Sequence, residues 1–301
     1  MSVLVVGSVA FDSLQTPHGE AEEILGGSAS YFSITASYFA PVNVVAVVGD
    51  DFGADAISVF TSRPIDIQGL ERAKGKTFRW RGQYDEDLNE ARTLDTQLNV
   101  FENFAPKIPS AYQSSKFVFL GNIDPVLQLH VRQQLPQARL VACDTMNYWI
   151  TGKPEELRKT LAAVDLLVIN ESEAHMLSGT DNLKRAAAVI RAMGPSVVVI
   201  KRGEYGACIF KDTTIFFAPG YPLEEVRDPT GAGDTFAGGF IGHLARSADL
   251  SDAGLRRALV YGSVMASFAV EEFGLSRLLR LQKQEIEGRF QELKSMTHFD
   301  V

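Results

Sequence analysis

Residues 228–239 read Asp228-Pro229-Thr230-Gly231-Ala232-Gly233-Asp234-Thr235-Phe236-Ala237-Gly238-Gly239. The first half is too rich in Gly and Pro for a strand, whereas apolar residues recur at helical spacing from Phe236 to Phe240 and Leu244. Asp234 and Thr235 are residue types that are favoured where helices begin. The segment therefore predicts a tight loop that leads into a helix starting near Asp234. Unpaired N–H groups and the positive end of the helix dipole make such a terminus suitable for binding a phosphate.

The residue types in this loop add a chemical expectation. Gly231 and Gly233 have no Cβ, so the backbone can approach an anion closely. A carboxylate is not suited to hold the phosphate itself, but Asp234 can take the proton from a hydroxyl that attacks the phosphate. This interpretation predicts a small-molecule kinase. The simpler alternative is that Asp234 only caps the helix and that the glycines only form a turn.

The composition is that of an ordinary globular protein, with 46% hydrophobic and 22% charged residues. The net charge of 29 − 37 = −8, without basic runs, argues against nucleic acid or an anionic membrane as the main partner. No window approaches the roughly 20 apolar residues of a membrane span. Cys143 and Cys208 are far apart and lack metal-type spacing, which predicts free thiols in a reducing cytoplasm.

Short apolar runs rich in β-branched residues alternate with segments of helical character along the chain. Such runs are typical of strands that are covered on both faces, and their alternation with helices predicts a parallel sheet. We therefore expect an α/β fold with a doubly wound, mostly parallel sheet flanked by helices, in one domain over residues 1–301. The main predicted strands are Val3–Val6, Val42–Val48, Lys116–Leu120, Leu140–Cys143, Asp165–Ile169 and Ser196–Ile200.

A second, smaller sheet is predicted from residues 13–25 and 65–105. Residues 77–84 alternate large apolar and polar side chains, which is the period of an exposed antiparallel strand. An antiparallel ribbon that departs from a parallel core commonly serves as a lid or as a partner surface, and its exposed edge favours a homodimer. Its aromatic residues could stack on a ligand ring, although packing within the lid or a dimer face is favoured. These residues are Phe78, Trp80, Phe101 and Phe104.

Polar residues follow the first predicted strand, where open α/β sheets bind ligands. Asp12 either contacts a ligand there or caps its own turn. The segment Gly26-Gly27-Ser28 precedes another helical run and forms a second junction between a loop and a helix. Ser28 is also a residue type that can cap that helix, and this role is compatible with ligand binding.

Two later strands end in groups that suit phosphates or a helix start. Asn170 and Glu173 fit a capping box, in which an Asn at the cap is followed three residues later by Glu. After the strand that ends near Ile200, two cations stand beside two glycines, a combination suited to nucleotide phosphates. This segment reads Lys201-Arg202-Gly203-Glu204-Tyr205-Gly206-Ala207.

The run from Asp228 to Asp234 resembles the C-terminal signature of the ribokinase-like carbohydrate kinases, the PfkB family. The resemblance extends over essentially the whole chain, since Asp12, Gly26-Gly27, the pair Asn170 and Glu173, and the 201–207 loop occur in the family's order. A P-loop pattern and a dinucleotide-binding fingerprint are both missing from the sequence, which argues against the main competing nucleotide-binding folds. The resemblance implies a ribokinase-like fold and a cytoplasmic, ATP- and Mg²⁺-dependent kinase; a monovalent cation such as K⁺ is a further expectation.

The resemblance also implies a role for each matching residue. The base would be Asp234, with an anion hole formed by Gly231, Ala232 and Gly233. The acceptor would lie against Asp12, Gly26, Gly27, Ser28 and Asp234. ATP would contact Lys201, Arg202, Gly203, Gly206, Thr230, Gly231 and Gly233. The metal would be held by Asn170, Glu173 and Asp228, the last of which could instead orient the loop or ligate a monovalent cation.

The family resemblance leaves the acceptor open. Many sugar-specific members have a Lys after the two glycines and an Asn further on, where this chain has Ser28 and the pair Ser30-Tyr31. The expected acceptor is therefore the primary alcohol of a sugar, a nucleoside or a polyol, and the aromatic lid favours a nucleoside-like molecule. An alternative is a non-catalytic protein that binds a sugar or nucleoside on the same fold.

Overall fold

The computed structural model describes residues 1–86, 88 and 91–298. The strands are β1 Val3–Val6, β2 Ala10–Thr16, β3 Gly19–Gly26, β4 Val42–Val48, β5 Ile65–Arg72, β6 Phe78–Tyr84, β7 Ala91–Gln97, β8 Phe117–Leu120, β9 Leu140–Asp144, β10 Leu166–Asn170, β11 Val197–Lys201, β12 Ala207–Lys211 and β13 Thr214–Ala218. The helices are α1 Ser28–Ala36, α2 Ala54–Thr61, α3 Pro125–Gln134, α4 Asn147–Gly152, α5 Pro154–Leu161, α6 Glu171–Ser178, α7 Leu183–Arg191, α8 Ala232–Ser247, α9 Asp252–Ala269, α10 Ser276–Arg280 and α11 Lys283–Thr297.

The large sheet has nine strands in the order β13-β12-β11-β10-β9-β8-β1-β4-β5. Within this sheet, parallel pairing joins the seven strands β11, β10, β9, β8, β1, β4 and β5. The strands β12 and β13 add an antiparallel hairpin at one edge. The predicted doubly wound, mostly parallel α/β fold is therefore confirmed.

Successive residues of the central strands point to opposite faces of the sheet, and each face has its own core. Val3 and Val5 pack in one core with Phe32 of α1 and Phe240 of α8. The neighbouring residues Leu4 and Val6 belong to the other core, with Leu157 of α5 and Ile190 of α7. Burial on both faces explains why these strands appear in the sequence as continuous apolar runs.

The small sheet has the order β3-β2-β6-β7. Two antiparallel hairpins, β2–β3 and β6–β7, are joined by a parallel pairing of β2 with β6. The prediction that the lid begins near residue 65 was wrong, because Ile65–Arg72 pairs in parallel with β4 as an edge strand of the large sheet. In β5, Ile65 is buried and Ile67 and Leu70 are half-buried, while exposed polar residues stand between them, which gives the strand an alternating pattern like that of the small sheet.

The aromatic residues near the small sheet all make contacts within the protein, although Phe104 lies in the core that contains Leu4 and Val6 and Phe101 packs against that core. The rings of Phe78 and Phe101 stack with centroids 5.3 Å apart, and Phe101 stacks on Phe104 at 5.5 Å. The indole N–H of Trp80 donates to the hydroxyl of Thr93 on the neighbouring strand (3.2 Å). These contacts place the aromatic rings in the packing of the sheet.

Within the described residues, every helix is too short or too polar to cross a lipid bilayer.

Candidate active site

The carboxyl ends of the parallel strands bring several chemical groups to one edge of the large sheet. Asp144 is the last residue of β9, Asn170 ends β10 and Lys201 ends β11. Asn170 and Lys201 are direct partners in the register of β10 and β11. The three side chains therefore stand at the same edge of the sheet.

The loop of residues 228–231 leads into α8 two residues earlier than the sequence predicted. The helix begins at Ala232, and its N-cap is Gly231 in the left-handed conformation (φ 72°), without a side-chain cap. Asp234 therefore lies in the first turn, and the alternative that it only caps the helix was wrong. Gly231 can take the cap position because it has no Cβ to oppose a positive φ.

The backbone of this turn also modifies the expected anion hole. The N–H of Ala232 donates to the carbonyl of Pro229 (3.2 Å), which closes the turn. Gly233 and Asp234 lie in the first turn of α8, where N–H groups have no partner within a helix. These two N–H groups are thus better placed than that of Ala232 to receive developing negative charge.

Asp228 holds the loop in place through hydrogen bonds to two backbone N–H groups. Its side chain is 0% exposed, Oδ1 accepts a bond from the N–H of Thr230 (2.9 Å), and Oδ2 accepts one from the N–H of Gly274 (2.9 Å). Burial raises the pKa of this carboxyl, while both backbone N–H groups and the Thr230 side chain oppose the shift. These two bonds hold the loop in place, and the two cation-binding roles of Asp228 stay predictions.

The side chain of Lys201 places a positive charge next to the start of α8, at Gly233. A Cβ added at Gly233 would lie 2.7 Å from its Nζ, so the ammonium group lies against the backbone at Gly233. The same Nζ lies 3.9 Å from Oδ2 of the buried Asp144. Burial alone would lower the pKa of Lys201, but Asp144, Glu173 and Asp234 outweigh it and raise the pKa. Lys201 therefore stays charged beside the first turn of α8.

The carboxyl group of Asp234 has an unusual environment. Its Oδ1 is buried and has no hydrogen-bond partner among the residues that the structure describes, although the residue as a whole is partly exposed. Burial raises its pKa to about 7, with further contributions from the negative charges of Asp144, Asp12 and Glu173 and an opposing one from Lys201. A carboxyl with a pKa near neutrality can exchange a proton with a substrate under ordinary conditions.

The second predicted cation is placed differently. The guanidinium of Arg202 donates to the carboxylate of Glu171 (3.0 Å), and it lies over the ring of Tyr205. Gly203 and Gly206 both have positive φ, and a Cβ at Gly206 would lie 2.2 Å from the carbonyl of Ala218. The turn after β11 thus requires its glycines for backbone packing, and contact of these residues with ATP stays a prediction.

Asn170 and Glu173 form the capping box that the sequence allowed. The N–H of Glu173 donates to Oδ1 of Asn170 (2.7 Å), and the N–H of Asn170 donates to Oε2 of Glu173 (2.8 Å). Across residues 1–86, 88 and 91–298, no group of three or more His, Cys, Asp or Glu side chains is arranged to hold a metal directly. The pair nevertheless offers oxygen ligands at the same sheet edge as Lys201, and Mg²⁺ prefers such ligands while it keeps several waters.

On the other side of the site, Asp12 meets the first glycine pair. The carboxylate is 5% exposed and accepts a bond from the N–H of Gly27 (3.3 Å). A Cβ at Gly26 would lie 1.9 Å from Oδ2 of Asp12, so only glycine leaves room for this contact. Burial raises the pKa of Asp12 to about 7; the bond from Gly27 opposes the shift and the charge of Asp228 adds to it.

Ser28 turns away from this group. Its hydroxyl accepts a bond from the N–H of Ser8 (3.1 Å), and the two Ser hydroxyls lie 3.2 Å apart. The expectation that Ser28 caps α1 was wrong, because the N-cap is Gly27 and makes no side-chain bond. Ser28 therefore holds the 26–28 turn against the end of β1, and a contact with the acceptor stays a prediction.

Three residues of this region were missing from the predicted site. Asp144 had a signal, since it follows a predicted strand. The ring of Tyr31 packs closely against the loop, as shown by the distance of only 2.4 Å that a Cβ added at Gly231 would have to ring atoms of Tyr31. Tyr84, at the end of β6, accepts a hydrogen bond from the hydroxyl of Thr230 (3.1 Å). Nothing in local patterning predicts the last two contacts, which join segments far apart in the chain.

Comparisons with known proteins show the family to which the chain belongs. Residues 3–280 match the family described as pfkB family carbohydrate kinase. The chain is 31% identical over 270 residues to a cytidine kinase of Thermococcus kodakarensis, covering 86% of this chain and 95% of that protein. It is 26% identical over 287 residues to a nucleoside kinase of Methanothermobacter thermautotrophicus, covering 90% of each.

A solved structure shows the same fold. The aminoimidazole riboside kinase of Salmonella enterica, crystallised with aminoimidazole riboside and an ATP analogue, superposes with a TM-score of 0.77 at 19% identity and covers 96% of this chain and 100% of that one. The match over nearly the whole chain and the shared fold lead to one conclusion. The chain belongs to the PfkB family of carbohydrate kinases, and it is an ATP-dependent sugar or nucleoside kinase.

Proposed function

We propose that the chain transfers the γ-phosphoryl group of ATP to the primary alcohol of a nucleoside, with Asp234 as the base. The observation that carries this proposal is the placement of the Asp234 carboxyl in the first turn of α8, with one buried oxygen that lacks a partner among the described residues. The nucleoside is favoured over other acceptors because the 31% identical relative is a cytidine kinase.

The neighbours of Asp234 supply the electrostatic part of the reaction. Phosphoryl transfer depends mainly on positioning and on stabilising negative charge. The N–H groups of Gly233 and Asp234 lie at the positive end of the α8 dipole, and the ammonium of Lys201 lies beside them. We infer that these groups accept the charge that develops on the transferred phosphoryl group.

The metal is proposed at Asn170 and Glu173. Both side chains lie at the carboxyl edge of the sheet, and their oxygens suit Mg²⁺. When bound, Mg²⁺ would neutralise part of the charge on the ATP phosphates. Asp228 accepts a backbone bond at each oxygen, so we propose that it mainly orients the loop, and its role as a metal ligand stays a prediction.

The exposed edge of the small sheet is proposed as the contact with a second copy of the chain. All seven residues of β7, Ala91–Gln97, are exposed, and the strand has a neighbour on one side only within the described residues. An uncovered edge strand presents unpaired backbone groups to another chain. We also propose that the protein works in the cytoplasm, where its buried free thiols Cys143 and Cys208 stay reduced.

One assay tests the proposed function. Release of ADP from ATP and Mg²⁺ is measured with cytidine, other nucleosides, simple sugars and myo-inositol as acceptors. We expect a nucleoside to give the highest kcat/KM. Absence of turnover with every acceptor would contradict the proposal and would favour a non-catalytic binding protein. The assembled site argues against that alternative, because a protein that only binds has no need of a base with a pKa near 7.

The dependence of kcat/KM on pH follows from Asp234. The carboxyl must be ionised to accept a proton, and its pKa is raised to about 7. We therefore expect kcat/KM to rise with pH through an acid limb centred near neutrality, well above the ordinary range of an Asp. Initial rates across buffered pH values, at saturating MgATP, measure this limb. A limb centred near pH 4 would show that Asp234 titrates as an ordinary carboxyl.

The bond between Tyr84 and Thr230 links the small sheet to the catalytic loop. Tyr84 is half-buried, and desolvation raises the pKa of its phenol to about 12. Removing the hydroxyl in Tyr84→Phe should loosen the sheet over the loop and lower kcat/KM by about fivefold, since one hydrogen bond typically contributes about 1 kcal/mol.

A double-mutant cycle with Thr230→Val tests whether this bond is responsible. If it is, the loss of kcat/KM in the double variant is smaller than the product of the two single losses. The matched control is Tyr112→Phe. Tyr112 is buried in the core that contains Leu4 and Val6, and its phenol hydroxyl donates to the exposed carboxylate of Asp66. Additive losses in the cycle, or an equal loss in the control, would contradict the linking role.

A further inference from the structure

Tyr31 carries a buried hydroxyl whose role the packing does not explain. The residue lies in α1 and is 1% exposed. Its hydroxyl has no hydrogen-bond partner among the residues that the structure describes. A buried hydroxyl without a partner is unfavourable, and Phe at this position would fill the same space without that cost. The phenol oxygen therefore points to a partner from outside the chain.

The surroundings of Tyr31 show where that partner would be. Its ring packs against Gly231, at the start of the catalytic helix. Its N–H donates to the carbonyl of Gly27 (3.3 Å), the same residue whose N–H donates to Asp12 (3.3 Å). Tyr31 therefore lies between the turn that holds Asp12 and the loop that holds Asp234.

The charges around the phenol keep it a hydrogen-bond donor. Burial raises its pKa well above the ordinary value, and the charges of Asp12, Asp228, Tyr84 and Asp234 raise it further. Every titratable group named here is an acid, so the environment favours the protonated phenol at all neutral pH values. Asp12, in contrast, can accept a bond when it is ionised.

We propose that the Tyr31 hydroxyl donates a hydrogen bond to a ring hydroxyl of the acceptor, next to the hydroxyl that Asp12 accepts. This inference rests on the proposed function, and it narrows the acceptor to molecules that carry two neighbouring hydroxyls on a ring. A phenol donor beside a carboxylate acceptor matches such a pair, because one hydroxyl receives a bond while its neighbour donates one. A site built to bond a hydroxyl rejects an analogue that lacks it.

The test compares wild type and Tyr31→Phe with cytidine, 2′-deoxycytidine and 3′-deoxycytidine. Wild type should prefer cytidine over one of the deoxy compounds by roughly 10- to 100-fold in kcat/KM, and Tyr31→Phe should reduce this preference to about threefold or less. A role in packing alone would lower kcat/KM for all three compounds equally. An unchanged preference in Tyr31→Phe overturns the proposal.

A second measurement does not depend on turnover. Because the hydroxyl bonds to no described residue, Tyr31→Phe should melt at the wild-type temperature or above it. The matched control is Tyr38→Phe, just after the same helix, whose hydroxyl donates to the carbonyls of Leu278 (2.6 Å) and Leu281 (2.9 Å). This control should melt lower and keep the wild-type preference for cytidine. Clear destabilisation by Tyr31→Phe contradicts the proposal, since it would reveal a partner within the protein.

The two hypotheses fail in different ways. If wild type phosphorylates none of the three compounds, the proposed nucleoside kinase activity is wrong. Calorimetric binding of the same compounds then decides on Tyr31. Tighter binding of cytidine than of a deoxy analogue, lost in Tyr31→Phe, supports its contact with the ring hydroxyl, and absence of binding by any of the three overturns this proposal as well.

Discussion

The Asp234→Asn variant is expected to fold normally and to lose turnover by about 10²-fold or more. Asn has nearly the shape of Asp, so the first turn of α8 and the packing of Gly231 against Tyr31 should survive. What disappears is the group that takes the proton from the acceptor hydroxyl. Binding of ATP should change little, because the N–H groups of the turn and Lys201 remain. Steady-state kinetics together with nucleotide binding by calorimetry separates these effects.

Stability provides the control for the same variant. In the folded protein the pKa of Asp234 is raised from 3.8 to about 7, so the folded state holds this proton more tightly than the unfolded state. The contribution of Asp234 to stability therefore falls as the pH rises from about 4 to above 7. The amide that replaces the carboxyl does not ionise, so Asp234→Asn should melt above wild type at about pH 8, with a difference that shrinks toward pH 4. Near-wild-type turnover in this folded variant would rule out Asp234 as the base.

Local patterning predicted the parallel core because each central strand is buried on both faces. A run such as Val3–Val6 leaves no alternative to a covered strand, and the polar residues after each run mark the edge where ligands bind. The strand-end pattern also placed Asn170 and Lys201 among the candidate residues, and the pattern of a loop leading into a helix placed Asp234 there. The confirmed part of the prediction therefore depends on features within about ten residues of each other.

The parts that could not be predicted depend on pairings between distant segments. Alternation in Ile65–Arg72 predicts a strand but not its sheet, and pairing with β4 decided against the small sheet. Helix α8 begins at Ala232, earlier than predicted, because Gly231 adopts a positive φ and forms the N-cap. The close contact with the ring of Tyr31 also requires glycine at position 231. The hydrogen bond from Thr230 to Tyr84 joins residues that are 146 positions apart, and neither local sequence pattern predicts it.

The structure also separates two cations that the sequence could not distinguish. Lys201 and Arg202 are neighbours in the chain, and both were expected to contact ATP. Successive residues at the end of a strand point in opposite directions, so only one of them faces the loop. Lys201 lies against Gly233 and near Asp144, whereas Arg202 pairs with Glu171. The two side chains should therefore differ sharply in their effect on catalysis.

Lys201→Met is expected to lower kcat/KM by about 10²-fold or more, because it removes the charge beside the transferred phosphoryl group. It should also move the acid limb of the pH profile upward. Lys201 opposes the rise in the pKa of Asp234 and of Asp144, so without it both carboxyls hold their protons to higher pH. The fraction of ionised base at neutral pH then falls. Rates measured across pH distinguish this shift from a simple loss of binding.

Arg202→Met is the matched control, since it removes a cation one residue away that already has a carboxylate partner. A half-exposed ion pair such as Arg202 with Glu171 contributes little, and we expect kcat/KM to fall by less than about tenfold, with the acid limb unmoved. The contrast separates a specific effect of position from a general effect of positive charge. If Arg202→Met has the larger effect, or if Lys201→Met leaves the acid limb in place, then the ammonium group does not act on Asp234, and the phosphate charge must be offset from the Arg202 side of the sheet edge.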